Sequence, residues 1–128
     1  MQVLIDTHAF LWWLDGDERL SPAARAVMEA ADVECLVSAA SVWEIATKYR
    51  LGKLPSAQAI ARDITGNIER NGFVALEIAA SDAELAGKLP GEHRDPFDRM
   101  IAAQCLRRGL AVVTADAQLV AFGVNQVW

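Results

Sequence analysis

The sequence predicts an α/β fold: a three-layer α/β/α sandwich around a central, parallel, mostly five-stranded sheet. Short apolar runs rich in Val, Ile and Leu alternate with longer segments of helical periodicity along the chain. Strands separated by helical segments return by right-handed crossovers, which lay helices on both faces of a parallel sheet. No linker, repeat or low-complexity tract interrupts the pattern, so residues 1–128 are expected to form one domain.

The elements follow in order. A first strand is expected at about residues 2–6, then an amphipathic helix through Leu14. Ser21-Pro22 opens a second helix, with a capping hydroxyl followed by proline at the first helical position. Cys35-Leu36-Val37 forms a buried strand, and Ser38 begins a helix to about Arg50. Gly52 and Pro55 punctuate the chain before a helix expected from about Ser56 to Arg70. Asn71-Gly72 turns it into a strand at Phe73–Leu76. Ser81 and Glu84 have capping-box spacing and open a helix that stops near Pro90-Gly91. Asp95-Pro96 starts the helix that Gly109 ends, and strands follow at Leu110–Val113 and Val124–Trp128.

Composition excludes several classes. Of the 128 residues, 53% are hydrophobic, too many for a disordered chain, yet no apolar run approaches the roughly 18 residues that span a bilayer. Met1 leads straight into a strand with no basic, cleavable leader, so a cytoplasmic protein is expected. Cys35 and Cys105 sit in apolar segments and read as buried thiols. With only the isolated His8 and His93 besides, a zinc site lacks ligands. The net charge of −5 argues weakly against a nucleic-acid partner, although Lys48, Arg50 and Lys53 cluster, as do Arg94, Arg99, Arg107 and Arg108.

Four acids carry the chemistry. Asp6, Glu44, Asp98 and Asp116 lie at or just beyond apolar runs. In a parallel sheet, sites form beyond the carboxyl ends of the strands. Asp6, Asp116 and the helix bearing Glu44 all start there. Carboxylates gathered in a confined cleft repel one another unless a cation sits among them, and an oxygen-only set suits Mg²⁺ or Mn²⁺. Each acid also has a plainer role. Asp6, Asp95 and Asp116 can cap helices, Asp98 can sit in a first turn, and Ser41 with Glu44 has capping-box spacing. The two roles are compatible, since helix amides can hold one carboxylate oxygen while the other meets a metal.

The segments VLIDTHAFLWWL, SAASVWEIATKYRLGKL, HRDPFDRMIAAQC and LAVVTADAQL together resemble the VapC-type PIN-domain ribonucleases, toxins of type II toxin–antitoxin systems. HRDPFDRMIAAQ is the most specific of them. The resemblance runs end to end and implies a PIN-like sandwich with a catalytic, metal-binding quartet of Asp6, Glu44, Asp98 and Asp116. It also implies an RNA substrate, a homodimer and a cognate VapB-like antitoxin lying across the acidic groove.

The expected chemistry is Mg²⁺- or Mn²⁺-dependent hydrolysis of RNA phosphodiester bonds by water, leaving a 5′-phosphate and a 3′-hydroxyl. Asp6 and Asp98 are the expected direct ligands, with Glu44 and Asp116 completing the set. Thr7 and Thr114 adjoin these acids and are candidates to orient them, with Asp95 an additional acid better suited to capping. Lys48 and Arg99 are candidate RNA contacts, Arg99 alternatively pairing with Asp95. Adjacent Trp12 and Trp13 face different directions on a helix, which hints at an interface.

Two other classes compete. A non-catalytic PIN-like binding module would keep the acids for structure or partner capture. A receiver-type phosphoacceptor domain would need an aspartate after its middle strand and a lysine after a late one. Phe73–Leu76 leads instead to Glu77-Ile78, and Thr114-Ala115-Asp116 follows the later strand.

Overall fold

In the computed structural model, which describes residues 1–128, five parallel strands run in the order β3-β2-β1-β4-β5. They are β1 (Gln2–Ile5), β2 (Glu34–Ser38), β3 (Val74–Leu76), β4 (Ala111–Val113) and β5 (Gln126–Val127). Helices α1 (Thr7–Asp15) and α2 (Pro22–Glu29) link β1 to β2. Helix α3 (Ala39–Arg50), a 3₁₀ turn (Pro55–Ala57), α4 (Gln58–Ala61) and α5 (Ile64–Arg70) link β2 to β3. Helices α6 (Ala80–Lys88) and α7 (Pro96–Arg108) return to β4, and α8 (Ala117–Val120) leads to β5.

The alternation of β1 explains the two-faced core. Val3 and Ile5 point into a cluster with Phe10, Met28, Ile45, Ile64, Ile68 and Phe73, built from α1 to α5. Leu4 points the other way, into Ile101, Ala102, Cys105, Val112 and Leu119 from α7, β4 and α8. All three strand residues are fully buried, each stabilising the fold by about 1.5–3 kcal/mol. The register places Leu4 beside Leu36 and Val112, and Ile5 beside Val37 and Val113. The chain winds from β1 outward to β3, then crosses to the other side of β1 to lay down β4. The carboxyl ends of β1 and β4 therefore flank a topological switch point, where doubly wound sheets open a crevice. This order, with β3 at an edge, also differs from the 2-1-3-4-5 order of receiver-type folds.

Two local expectations are overturned. The helix expected over 56–70 breaks at Asp63, which leaves helical geometry (φ −157°, ψ 72°) and caps α5 by accepting from the Gly66 N–H at 3.0 Å. Gly66 leaves room for that contact, since an added Cβ would lie 2.0 Å from the Asp63 carboxylate and push this exposed side chain aside. The Ser81–Glu84 capping box does not form either. Helix α6 starts earlier, with Asp82 accepting from the Ala79 N–H at 2.8 Å, while Glu84 pairs with Lys88 at 2.7 Å. Asp82 is fully buried and anchored from α7 by Arg107 and by Arg108, whose Nη1 and Nη2 lie 2.8 and 3.0 Å from its two oxygens. That anchor sets where α6 begins. It holds the Asp82 carboxyl well below the usual range, through Arg108 first and against the cost of burial.

Candidate active site

The β1–β4 crevice is organised by Asp6 and Thr114. Asp6 ends β1, its N–H donating to the Val113 carbonyl at 3.1 Å. It caps α1, Oδ1 accepting from the Ala9 N–H at 2.7 Å. Its Oδ2 accepts from the Thr114 hydroxyl, and the same hydroxyl oxygen accepts from the Asp116 N–H at 3.0 Å. One buried threonine at the end of β4 thus fixes both the first acid and the loop carrying the last. Burial pushes the Asp6 carboxyl up to about 6, against the Thr114 and Ala9 bonds that favour its charge, with the Asp98 charge adding to the rise.

Glu44 arrives from α3, whose N-cap is Ser38, accepting from the Ala40 N–H at 3.0 Å. The capping box expected from Ser41 and Glu44 is therefore absent. Thr7 Oγ1 lies 2.6 Å from Glu44 Oε1 and 2.8 Å from Ser41 Oγ. With one proton to give, it donates to the carboxylate and accepts from the serine. Lys48, one turn on, pairs with the other Glu44 oxygen. Burial opposes the Lys48 charge, but the bond and charge of Glu44, with Asp95 and Asp98 beyond, raise its pKa overall.

Asp98 sits in the first turn of α7, while Asp95 caps that helix, accepting from the Phe97 and Asp98 N–H groups at 2.9 and 3.2 Å. His93 Nε2 lies 2.9 Å from Asp98 Oδ2. Burial raises the Asp98 pKa, the His93 bond opposes the rise, and the charges of Asp95, Glu44 and Asp116 add to it. Asp116 caps α8 through a 2.9 Å bond from the Gln118 N–H.

The four acids thus reach one edge from four different segments, as the placement of the apolar runs suggests. Thr7 and Thr114 bond two of them directly. Arg99 does not pair with Asp95: its guanidinium donates to the carbonyls of Ala86 (2.8 Å), His93 (3.0 Å) and Leu89, tying down the 86–93 segment. Lys48 is committed to Glu44. The His93–Asp98 contact is invisible in the sequence, because His93 lies in an irregular stretch without periodicity. Trp43, 59% exposed beside Glu44, is a more open aromatic than either Trp12 or Trp13. Its ring meets Phe97 edge-on at 4.8 Å, and no local pattern distinguished it.

The donors at this edge are carboxylate oxygens with one imidazole, which fits a hard divalent cation. No three His, Cys, Asp or Glu side chains enclose a common point at coordinating distance. Glu44 is paired with Lys48 and Asp98 with His93, while Asp6, bonded to Thr114 and the Ala9 N–H, feels the Asp98 charge. One or two carboxylates with water completing the shell is how Mg²⁺ is usually held.

The PIN-domain family model matches residues 3–124, and the chain belongs to that family. Ribonuclease VapC22 of Mycobacterium tuberculosis is 33% identical over 119 residues, spanning 91% of this chain and 88% of the relative, which sets the chain among VapC-type members. The fold matches that of VapBC2 from Rickettsia felis, solved with a promoter DNA fragment (TM-score 0.70, 13% identity, 98% and 97% of the two chains). It also matches M. tuberculosis VapC20, a toxin that cleaves the sarcin–ricin loop (TM-score 0.67, 19% identity, 95% of each chain). No helix is long and apolar enough to cross a membrane.

Proposed function

We propose that this chain is an endoribonuclease toxin that hydrolyses RNA phosphodiester bonds with Mg²⁺ or Mn²⁺ and is restrained by a VapB-like antitoxin. The observation that carries this reading is the convergence of Asp6, Glu44, Asp98 and Asp116 on one crevice, where Asp98 feels the charges of Glu44 and Asp116 and Asp6 feels that of Asp98. Asp6 and Asp98 would hold the cation, which when bound supplies positive charge to the phosphate oxygens and favours ionisation of the attacking water. Thr114 keeps Asp6 aimed and the Asp116 loop in place. Glu44, held by Thr7 and Lys48, closes the crevice on the α3 side. His93 orients Asp98 and sets an imidazole at its edge. A water nucleophile leaves a 5′-phosphate and a 3′-hydroxyl, and no serine or cysteine nucleophile is needed.

Kinship with VapC22 and with toxins solved in complex with antitoxins supports the partner. The exposed Trp43, set in an apolar groove with Ile78, Ala83 and Met100 of about 330 Å³, supports self-association through α3 and α7. The reading is tested by incubating antitoxin-free protein with total RNA and Mg²⁺ or Mn²⁺ and mapping the new ends. Cleavage that EDTA abolishes and that Asp98→Asn lowers by about two orders of magnitude or more is expected. Equal products from wild type and Asp98→Asn would reduce the chain to a binding module.

A further inference from the structure

A second cleft of about 320 Å³ shares Asp6 and Asp116 with the acid site and is otherwise walled by His8, Trp12, Arg19 and Ala115. Its far wall sets a guanidinium against a cluster of rings. The Arg19 guanidinium lies 5.0 Å from the centre of the Trp12 ring. Asp17 grips the guanidinium from the side, with Nη2 at 2.7 Å and Nε at 3.1 Å from Oδ2. Trp12 is in turn backed by the rings of Trp128 and His8, each 5.8 Å away. The Arg19 side chain remains 68% exposed, so one face of its plane is open.

The reacting phosphate belongs at the cation site that Asp6 shares, and beside it the ring and guanidinium wall of this cleft suits an uncharged flat group. Resting on the ribonuclease reading above, we propose that it receives the unpaired nucleobase next to the scissile phosphate, stacked on the Arg19 plane backed by Trp12. Bases splayed from single strands stack on aromatic rings and on guanidinium planes in this way. Three features make this wall the natural platform. The cleft abuts the proposed cation site, so a base held there belongs to a nucleotide adjoining the reacting phosphorus. Asp17 holds the guanidinium beside the Trp12 ring through its Nε and Nη2 atoms, which favours the conformation a base would meet. And in a chain of net charge −5, with Lys48 and Arg99 committed to internal partners, contact area offers grip that long-range attraction does not.

The test compares wild type with Arg19→Ala, Arg19→Lys and Trp12→Phe on a six-nucleotide single-stranded RNA containing one cleavage site, with abasic nucleotides placed in turn beside the scissile bond. Loss of a stacked base weakens binding about 5- to 100-fold. Arg19→Ala and Arg19→Lys should therefore raise KM by about that factor with kcat within about twofold. An abasic substitution at one flanking position should cost the wild type a similar factor and cost Arg19→Ala nothing more. Fluorescence anisotropy of the labelled hexamer, read in the Asp98→Asn background with and without Arg19→Ala, gives the same comparison without cleavage. Unchanged KM and affinity in Arg19→Ala, or an abasic penalty that persists in it, overturns the platform. Arg19→Lys behaving as wild type also overturns it, since charge alone would then suffice. Failure of the ribonuclease reading looks different: wild type and Asp98→Asn give the same products while anisotropy still reports on Arg19.

Discussion

Replacing Asp82 with asparagine removes a negative charge from a fully buried position between α6 and α7 while keeping an oxygen for the Ala79 N–H. Arg107 and Arg108 then lose their shared partner. Breaking a buried ion pair costs about 3–5 kcal/mol when the remaining charge is trapped. Here the arginine side chains are 35% and 28% exposed and can turn to water, so the expected cost falls to about 2–3 kcal/mol. For a chain of this length that is a fall in Tm of roughly 6–10 °C. Arg108→Ala should cost more than Arg107→Ala, because Arg108 grips both carboxylate oxygens and Arg107 only one. The pH dependence has a definite sign. A carboxyl held below its ordinary value contributes stability that is full above about pH 4 and lost as pH falls below it. Urea unfolding at pH 7 and pH 3 should therefore show a wild-type advantage over Asp82→Asn that shrinks on acidification. A difference within about 0.5 kcal/mol at pH 7 would refute the reasoning.

Other predictions concern the site. Thr114→Val leaves Asp6 Oδ2 and the Asp116 N–H without their shared partner; cleavage should fall about 10- to 100-fold, with Thr114→Ser near wild type. Lys48→Met strips the counter-charge from a Glu44 that is 3% exposed and should lower stability by about 1–3 kcal/mol, which Glu44→Gln in the same chain should largely restore in thermal melts. Trp43→Glu should halve the mass measured by light scattering if α3 and α7 carry the dimer; an unchanged mass would place the interface elsewhere.

The sheet and its acids were legible because their signals are local. Strands such as VLI and AVV are short apolar runs, and Asp6 and Asp116 follow them directly, so topology alone brings the two together. What was hidden depends on distant partners. Asp82 binds arginines 25 and 26 residues away, and that grip overrides the local capping signal of Ser81 and Glu84. Asp63 interrupts a segment whose periodicity favours one helix, because its own carboxylate offers the Gly66 N–H a better partner. Arg99 lies one turn after Asp95, yet the open carbonyls of the 86–93 turn compete for it successfully. His93 meets Asp98 only because that turn folds back over the start of α7.

The shared cation is the core of the account, and anomalous scattering from crystals soaked in MnCl₂ tests it most directly. A strong peak within coordinating distance of both the Asp6 and Asp98 carboxylates, lost in Asp98→Asn crystals, is the expected result. A peak confined to other parts of the surface, in crystals of protein that cleaves RNA in solution, would contradict it.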